Sequence, residues 1–300
     1  MARFIISAFA DEASPLLDEQ IRALKENGIS HIEPRIINGR GIITLSDEEL
    51  FEIKNKLDAA GITVGSLGSP IGKFSIEDNF DDQLKDFDRA LRACEILGTG
   101  RMRIFSFFLD RDNIGKYRDE IIRRLGVMVT IAAERGVKLC HENEAKIYGQ
   151  MPEDVEDLLN SVDGLYGIFD AANYCVVGGD PVKGVDVTLP HLEYLHIKDA
   201  LMDGTPGTED GMVIVPAGSG HGHIGEALDK VNAAKDGDVI LTLEPHLYSA
   251  NSLKSVEGRK IGGIVSYENE RAAFDAGVAA LRGLLKDFGY TEIDGKYVKE

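Results

Sequence analysis

Residues 116–144 read KYRDEIIRRLGVMVTIAAERGVKLCHENE. Apolar residues recur at helical spacing up to Arg135, Gly136 follows as a stop, and a short apolar run, VKLCHE (137–142), reads as a strand. That strand ends abruptly in His141-Glu142-Asn143-Glu144. Helix, glycine and strand in this order form the αβ turn of a repeating βαβ unit. A polar strand end in such a unit faces the rim where this architecture does its chemistry.

The same alternation runs the length of the chain. Strands are expected near 3–9, 29–33, 62–66, 101–106, 137–142, 166–170, 193–198 and 239–244. Helices are expected near 14–27, 46–60, 80–97, 116–135, 152–161, 223–235 and 268–287, with a weaker one between Asp180 and Thr188, where Gly184 and Val185 interrupt the pattern. Asn27-Gly28, Ala60-Gly61, Leu97-Gly98 and Arg135-Gly136 each put glycine after a helix and before a strand, and Ser46-Asp-Glu-Glu49 is a capping box. Eight strands alternating with about eight helices predict a single-domain (β/α)8 TIM barrel over 1–300, with 288–300 as a surface C-terminal tail. An open doubly wound sheet would want a glycine-rich phosphate loop after an early strand. The first strand instead runs into A8-F-A-D-E-A13. The glycine-rich stretches 199–222 and 247–267 read as binding loops or lids on the catalytic face.

The 300 residues carry 51 acidic against 33 basic side chains, a formal charge of −18, and no basic stripe. This argues against nucleic acid and anionic lipid as partners. No segment approaches the length of a membrane span, and the N-terminus reaches Asp11 and Glu12 too soon for a signal sequence of ordinary form. Cys94, Cys140 and Cys175 are scattered, as reduced thiols in a cytoplasmic protein would be.

Barrel enzymes draw catalytic groups from the C-terminal ends of their strands. Here the fifth strand ends in Glu142, the sixth in Asp170 and the eighth in Glu244, while the seventh carries His196 near its end. One strand-end carboxylate is more often a helix cap, and one strand histidine more often a core residue. Four on successive strands are a different matter. Three carboxylates converging on one point repel unless a cation lies between them. Two Glu, one Asp and one His suit one divalent metal ion: Mn²⁺, Mg²⁺ or Co²⁺, with Zn²⁺ compatible.

H141-E-N-E144, F169-D-A-A-N-Y174, L195-H-I-K-D199 and L243-E-P-H246, with HIEPRIINGR (31–40) and GSPIGKF (68–74), resemble the sugar phosphate isomerase/epimerase family. These xylose isomerase-like barrels include D-tagatose 3-epimerase, L-ribulose-5-phosphate 3-epimerase and inosose dehydratase. The resemblance implies metal ligands at Glu142, Asp170, His196 and Glu244. It also implies that Glu142 and Glu244 serve as acid and base on opposite faces of a metal-stabilised cis-enediolate. Asn173 stands where those epimerases place a substrate-binding histidine, and Lys198 is the cation nearest the position of an arginine that follows the metal histidine.

Further candidates for substrate binding are Arg103, His246, Glu33, Lys73 and His223. Arg103, Lys73 and Arg35 could hold a phosphate or hydroxyls, or pair with barrel carboxylates. His221 and His223 flank Gly222 in a loop and are candidates for substrate or a second metal. HENE is not H-E-x-x-H, so the helix-borne zinc geometry does not apply. The expected activity is a ketose or ketose-phosphate isomerase or epimerase acting on a small-molecule sugar or sugar phosphate, with homo-oligomer formation left open. The rivals are an inosose-type dehydratase, a non-catalytic sugar-binding barrel and, against the charge, an apurinic endonuclease.

Overall fold

Gly28, Gly61, Gly98 and Gly136, the four expected helix stops, all adopt φ between +61° and +74°. In this left-handed region glycine has no Cβ to clash, so each chain turns sharply into the next strand. The computed structural model describes residues 1–202, 212–248, 262–263 and 266–299. Eight strands form its centre: β1 (Ala2–Ala8), β2 (His31–Ile32), β3 (Thr63–Val64), β4 (Arg101–Ile104), β5 (Lys138–Glu142), β6 (Tyr166–Asp170), β7 (Leu192–Ile197) and β8 (Gly237–Leu243). Around them lie α1 (Leu17–Glu26), α2 (Asp47–Ala59), α3 (Phe80–Leu97), α4 (Ile114–Glu134), α5 (Pro152–Ser161), α6 (Pro181–Thr188), α7 (Ile224–Ala234) and α8 (Glu270–Asp287).

The strands close into a ring. β1 pairs in parallel with β8, β8 with β7, β7 with β6, β6 with β5 and β5 with β4. On the other side the Glu33 N–H donates to Ala8 O at 3.0 Å, β2 pairs with β3, and Leu67 bridges to Met102 of β4. The fold is therefore the (β/α)8 barrel. Its register sets Asp170 opposite His196 and His196 opposite Thr242, so the ends of β6, β7 and β8 reach one level.

Local chemistry explains the outer elements. Ser46 and Glu49 form the reciprocal capping box of α2, and Asn79 accepts from the Asp81 and Asp82 amides at the start of α3. In α8, Phe274, Val278, Leu281 and Leu285 lie on the buried face. Burying each such side chain is worth about 1.5–3 kcal/mol, so packing rather than propensity holds the helix.

Some elements differ from the sequence reading. β2 and β3 keep two residues each in the ladder. Pro34 supplies no N–H just past the end of β2, and the chain beyond β3 runs beside β4 through irregular contacts. There Gly72, at φ +89°, accepts from the Phe107 amide, and a Cβ on it would sit 2.0 Å from Phe105 O. The stretch 199–222 is not a plain loop: Asp199–Met202 pairs antiparallel with Met212–Val215, which continues to Gly262–Gly263. Residues 203–211, 249–261 and 264–265 of the two expected lids lie outside the described residues. The expected surface tail at 288–300 folds as a hairpin, Thr291–Ile293 with Lys296–Val298, that lies against Phe4 and buries Tyr290 and Tyr297. Among the described residues no helix is long and apolar enough to cross a membrane.

Candidate metal centre

Glu142, Asp170, His196 and Glu244 are brought together at the rim, all buried, with one ligand atom from each lying within 4.8 Å of the others. Donors on opposite sides of an ion bound at about 2.2 Å are about 4.4 Å apart, so this spacing fits one ion. His196 Nδ1 lies 3.1 Å from Glu142 Oε1 and 3.5 Å from Glu244 Oε2. Neither His196 Nδ1 nor Asp170 Oδ2, though buried, has a hydrogen bond of proper geometry. Donor atoms converging from three strands and the turn after β8, two of them without a hydrogen bond, are what a hard divalent ion would satisfy.

Each carboxylate is divided between the centre and a second task. Glu142 turns Oε2 to Arg103 at 3.2 Å, and Glu244 turns Oε1 to Arg35 at 2.8 Å. Asp170 Oδ1 accepts from the Asn173 N–H at 2.9 Å and so caps the short helix Ala171–Val177, leaving Oδ2 for the centre. One residue thus caps a helix with one carboxylate oxygen and keeps the other free for the candidate centre. Lys198 Nζ stands 2.9 Å from Asp170 Oδ2 and 3.4 Å from Glu244 Oε2. Asn143 bonds both the N–H and the C=O of Asp170, each at 2.9 Å, and locks the end of β6 to β5.

Crowded carboxylates shift each other's protons. Burial pushes Asp170 up to about 6 despite Lys198. Burial would also raise Glu142, but His196 and Arg103 outweigh it and hold it at about 2. Burial would lower His196, yet Glu142 and Glu33 drive it up to about 10. Without an ion, protons, Lys198, Arg35 and Arg103 supply the positive charge that the carboxylates need.

The remaining candidates take distinct places. Asn173 Nδ2 donates to Glu142 Oε1 at 3.2 Å, at the centre itself. Arg103 sits between the Phe9 and Phe105 rings. His246 bridges Glu12 (2.8 Å) and Glu244 (3.2 Å). Lys73 lies at the edge, paired with Glu144 at 2.9 Å and stacked over Phe105. Glu33 does not face the rim: it is fully buried beneath His196, with Oε2 at 3.4 Å from Nε2, and accepts from Tyr194 at 2.9 Å and Thr242 at 2.8 Å. His223 is half exposed at the start of α7, beside Glu226, and lines with His221 a separate depression near Gly179 and Met202. His141 points outward to Ser106, as strand alternation requires.

Sequence reasoning missed the contribution of β1. Asp11 and Glu12 follow its end, and Arg35 pairs with both, at 2.9 and 3.7 Å. With His246, Leu247 and Phe274 they line a cavity of about 430 Å³ beside the centre. The signal was visible as an acidic pair directly after a strand at the catalytic rim.

Residues 21–262 match the model of the xylose isomerase-like TIM barrel family, and the chain belongs to that family. No curated protein matches the sequence at a significant level. Solved structures share the fold at low identity. The L-ribulose 3-epimerase structure is 15% identical, with a TM-score of 0.65 over 96% of both chains. The IolI protein, solved with a zinc atom, is 15% identical, with a TM-score of 0.71 over 95% of this chain and 99% of its own. The probable 3-DHS dehydratase AsbF of Bacillus anthracis is 15% identical, with a TM-score of 0.67 over 94% of this chain and 99% of its own.

Proposed function

We propose that the chain is a divalent-metal-dependent isomerase or epimerase of a sugar-like hydroxy ketone, with Glu142 and Glu244 as the acid–base pair. The observation that carries this reading is their shared geometry. Each is buried, each turns one oxygen toward the common centre, and each has its other oxygen held by an arginine. A fixed carboxylate on either side of a planar intermediate can remove a proton from one face and return one to the other. Glu142, Asp170, His196 and Glu244 would hold the ion, which when bound supplies positive charge to offset that of the developing enediolate. Asn173 fixes Glu142 by its amide, and Lys198 keeps a cation beside Asp170 and Glu244.

The experiment is exchange of the substrate's carbon-bound proton with deuterated water. Glu142→Gln and Glu244→Gln are each expected to slow exchange by about 10²–10⁴-fold. Normal exchange in both variants would sink the acid–base assignment. Product mass separates the rivals: loss of water identifies a dehydratase, and binding with neither exchange nor turnover identifies a sugar-binding barrel.

A further inference from the structure

We infer that the compound handled at this centre is uncharged, an unphosphorylated keto-sugar or polyol ketone, and not a sugar phosphate. This rests on the reading of the centre as a metal site for hydroxy ketones, and three independent features lead to it.

The first is a cradle that is already filled. (β/α)8 barrels commonly hold phosphate on the loops after the seventh and eighth strands, where backbone N–H groups converge. In this chain the loop after β7 and its hairpin reads P216-A-G-S-G-H-G-H223. The amides of Gly218, Gly220 and Gly222 all donate at 2.9 Å to the buried carboxylate of Asp199, as does that of Ala200. The loop wraps the carboxylate so closely that a Cβ on Gly220 would lie 2.3 Å from Asp199 Oδ1, and one on Gly222 2.7 Å. In the loop after β7 the protein's own anion occupies the amides that a phosphate would need there.

The second is charge. Six buried or nearly buried carboxylates surround the centre: Asp11, Glu12, Glu33, Glu142, Asp170 and Glu244. The permanent cations among them are Arg35, Arg103 and Lys198, and each is already paired with one or more of these carboxylates. A divalent ion brings the formal sum from −3 to −1, and a charged His246 would bring it only to zero. Lys73, at the edge, is taken by Glu144. A phosphate ester carries about −1.5 to −2 charges. Among the described residues it would meet no uncommitted cation, and placing like charges together is costly. Lys254, Arg259 and Lys260 lie outside the described residues.

The third is the cavity. Asp11 Oδ1, on its wall, is buried and has no hydrogen-bond partner. An unsatisfied acceptor calls for a donor, so this wall suits a sugar hydroxyl, and its carboxylate would repel a phosphate group placed against it. Leu247 and Phe274 offer apolar surface for the C–H face of the same molecule.

The test uses the full chain loaded with Mn²⁺ and follows water-proton relaxation as ligands displace water from the ion. Free D-xylulose, L-ribulose, D-fructose and D-tagatose are each compared with their own terminal phosphate esters, and inorganic phosphate is titrated alone. At least one free ketose is expected to act at a concentration at least about tenfold lower than its ester, with inorganic phosphate ineffective. An ester that binds more tightly than its parent, or phosphate competing at lower concentration than the ketoses, overturns the inference and leaves the metal centre standing. Mn²⁺ enhancement with no displacement by any ketose also overturns it. Absence of Mn²⁺ enhancement overturns the proposed function, and the inference falls with it.

Discussion

Glu33 lies 3.4 Å from Nε2 of His196, while Nδ1 of the same ring faces Glu142 at 3.1 Å. The two nitrogens therefore face separate carboxylates. A proton kept on Nε2 by Glu33 leaves Nδ1 with its lone pair toward the metal position. Glu33 is itself held by Tyr194 and Thr242, so its carboxylate cannot swing away. Glu33→Gln is expected to weaken divalent metal binding by about 10–100-fold, the usual effect of removing such a partner. Chelator competition measures it, with circular dichroism as the check on folding. A folded variant with an unchanged constant would show that Glu33 does not orient the ring.

Metal uptake should release protons. Glu142 and Glu33, against the effect of burial, hold His196 up at about 10, and burial holds Asp170 at about 6. Both must be deprotonated to bind an ion. The sign follows: affinity rises with pH. Between about 6 and 10 one proton leaves per ion, and affinity gains about tenfold per pH unit. Below about 6 a second proton leaves with Asp170, and the slope steepens. Metal titrations in weak buffer with an indicator dye read the stoichiometry directly. A dissociation constant flat between pH 6 and pH 9 would contradict the proton assignment.

The barrel and its four candidate ligands were legible because each rests on local pattern. Glycine after a helix, an apolar run, and a polar residue at its end can be read without knowing any distant contact. Glu33 could not be read that way. It follows a two-residue strand and precedes Pro34, so period-two alternation does not say whether it faces the rim or lies beneath it. The group of Asp11, Glu12, Arg35 and His246 joins β1, β2 and β8 across more than two hundred residues, and no local spacing encodes that meeting. The hairpin at 291–298 was hidden for a related reason. Residues 291–293 are exposed, and only the pairing of Phe4 with Tyr297 reveals that the hairpin extends the sheet beside β1.

Gly184 weakened the expectation of a helix at 180–188, yet α6 forms with glycine inside it. The cause is Tyr174, fully buried, whose ring would lie 2.2 Å from a Cβ at position 184. Alanine would gain about 1 kcal/mol of helix propensity. Overpacking typically costs about 1–3 kcal/mol, and the ring has little room to move. Gly184→Ala is expected to be net destabilising, by up to about 2 kcal/mol. Urea unfolding of the metal-free protein measures this. A stabilised variant would show that the ring can shift and that packing does not require the glycine.

Lys198 offers a test in which two effects have opposite signs. Without an ion it is the cation for Asp170 at 2.9 Å and Glu244 at 3.4 Å, and it is almost fully buried. Those carboxylates hold its amine charged, with the pKa raised despite burial. With a divalent ion on the same oxygens, Lys198 becomes a like charge at close range. Two unit charges 4 Å apart interact by about 4 kcal/mol at an effective dielectric constant near 20, so this repulsion is substantial. Replacing the lysine by methionine keeps the stem and removes the charge. The metal-free variant should lose about 3–5 kcal/mol of stability, because buried carboxylates lose their partner. Its metal affinity should rise by at least about tenfold, because the ion no longer competes with a fixed cation. Unfolding curves with and without Mn²⁺ measure both, and the gap between them should widen in Lys198→Met. If the variant binds metal more weakly than the parent protein, Lys198 is not standing in for the ion and must instead help to hold the ligands in place.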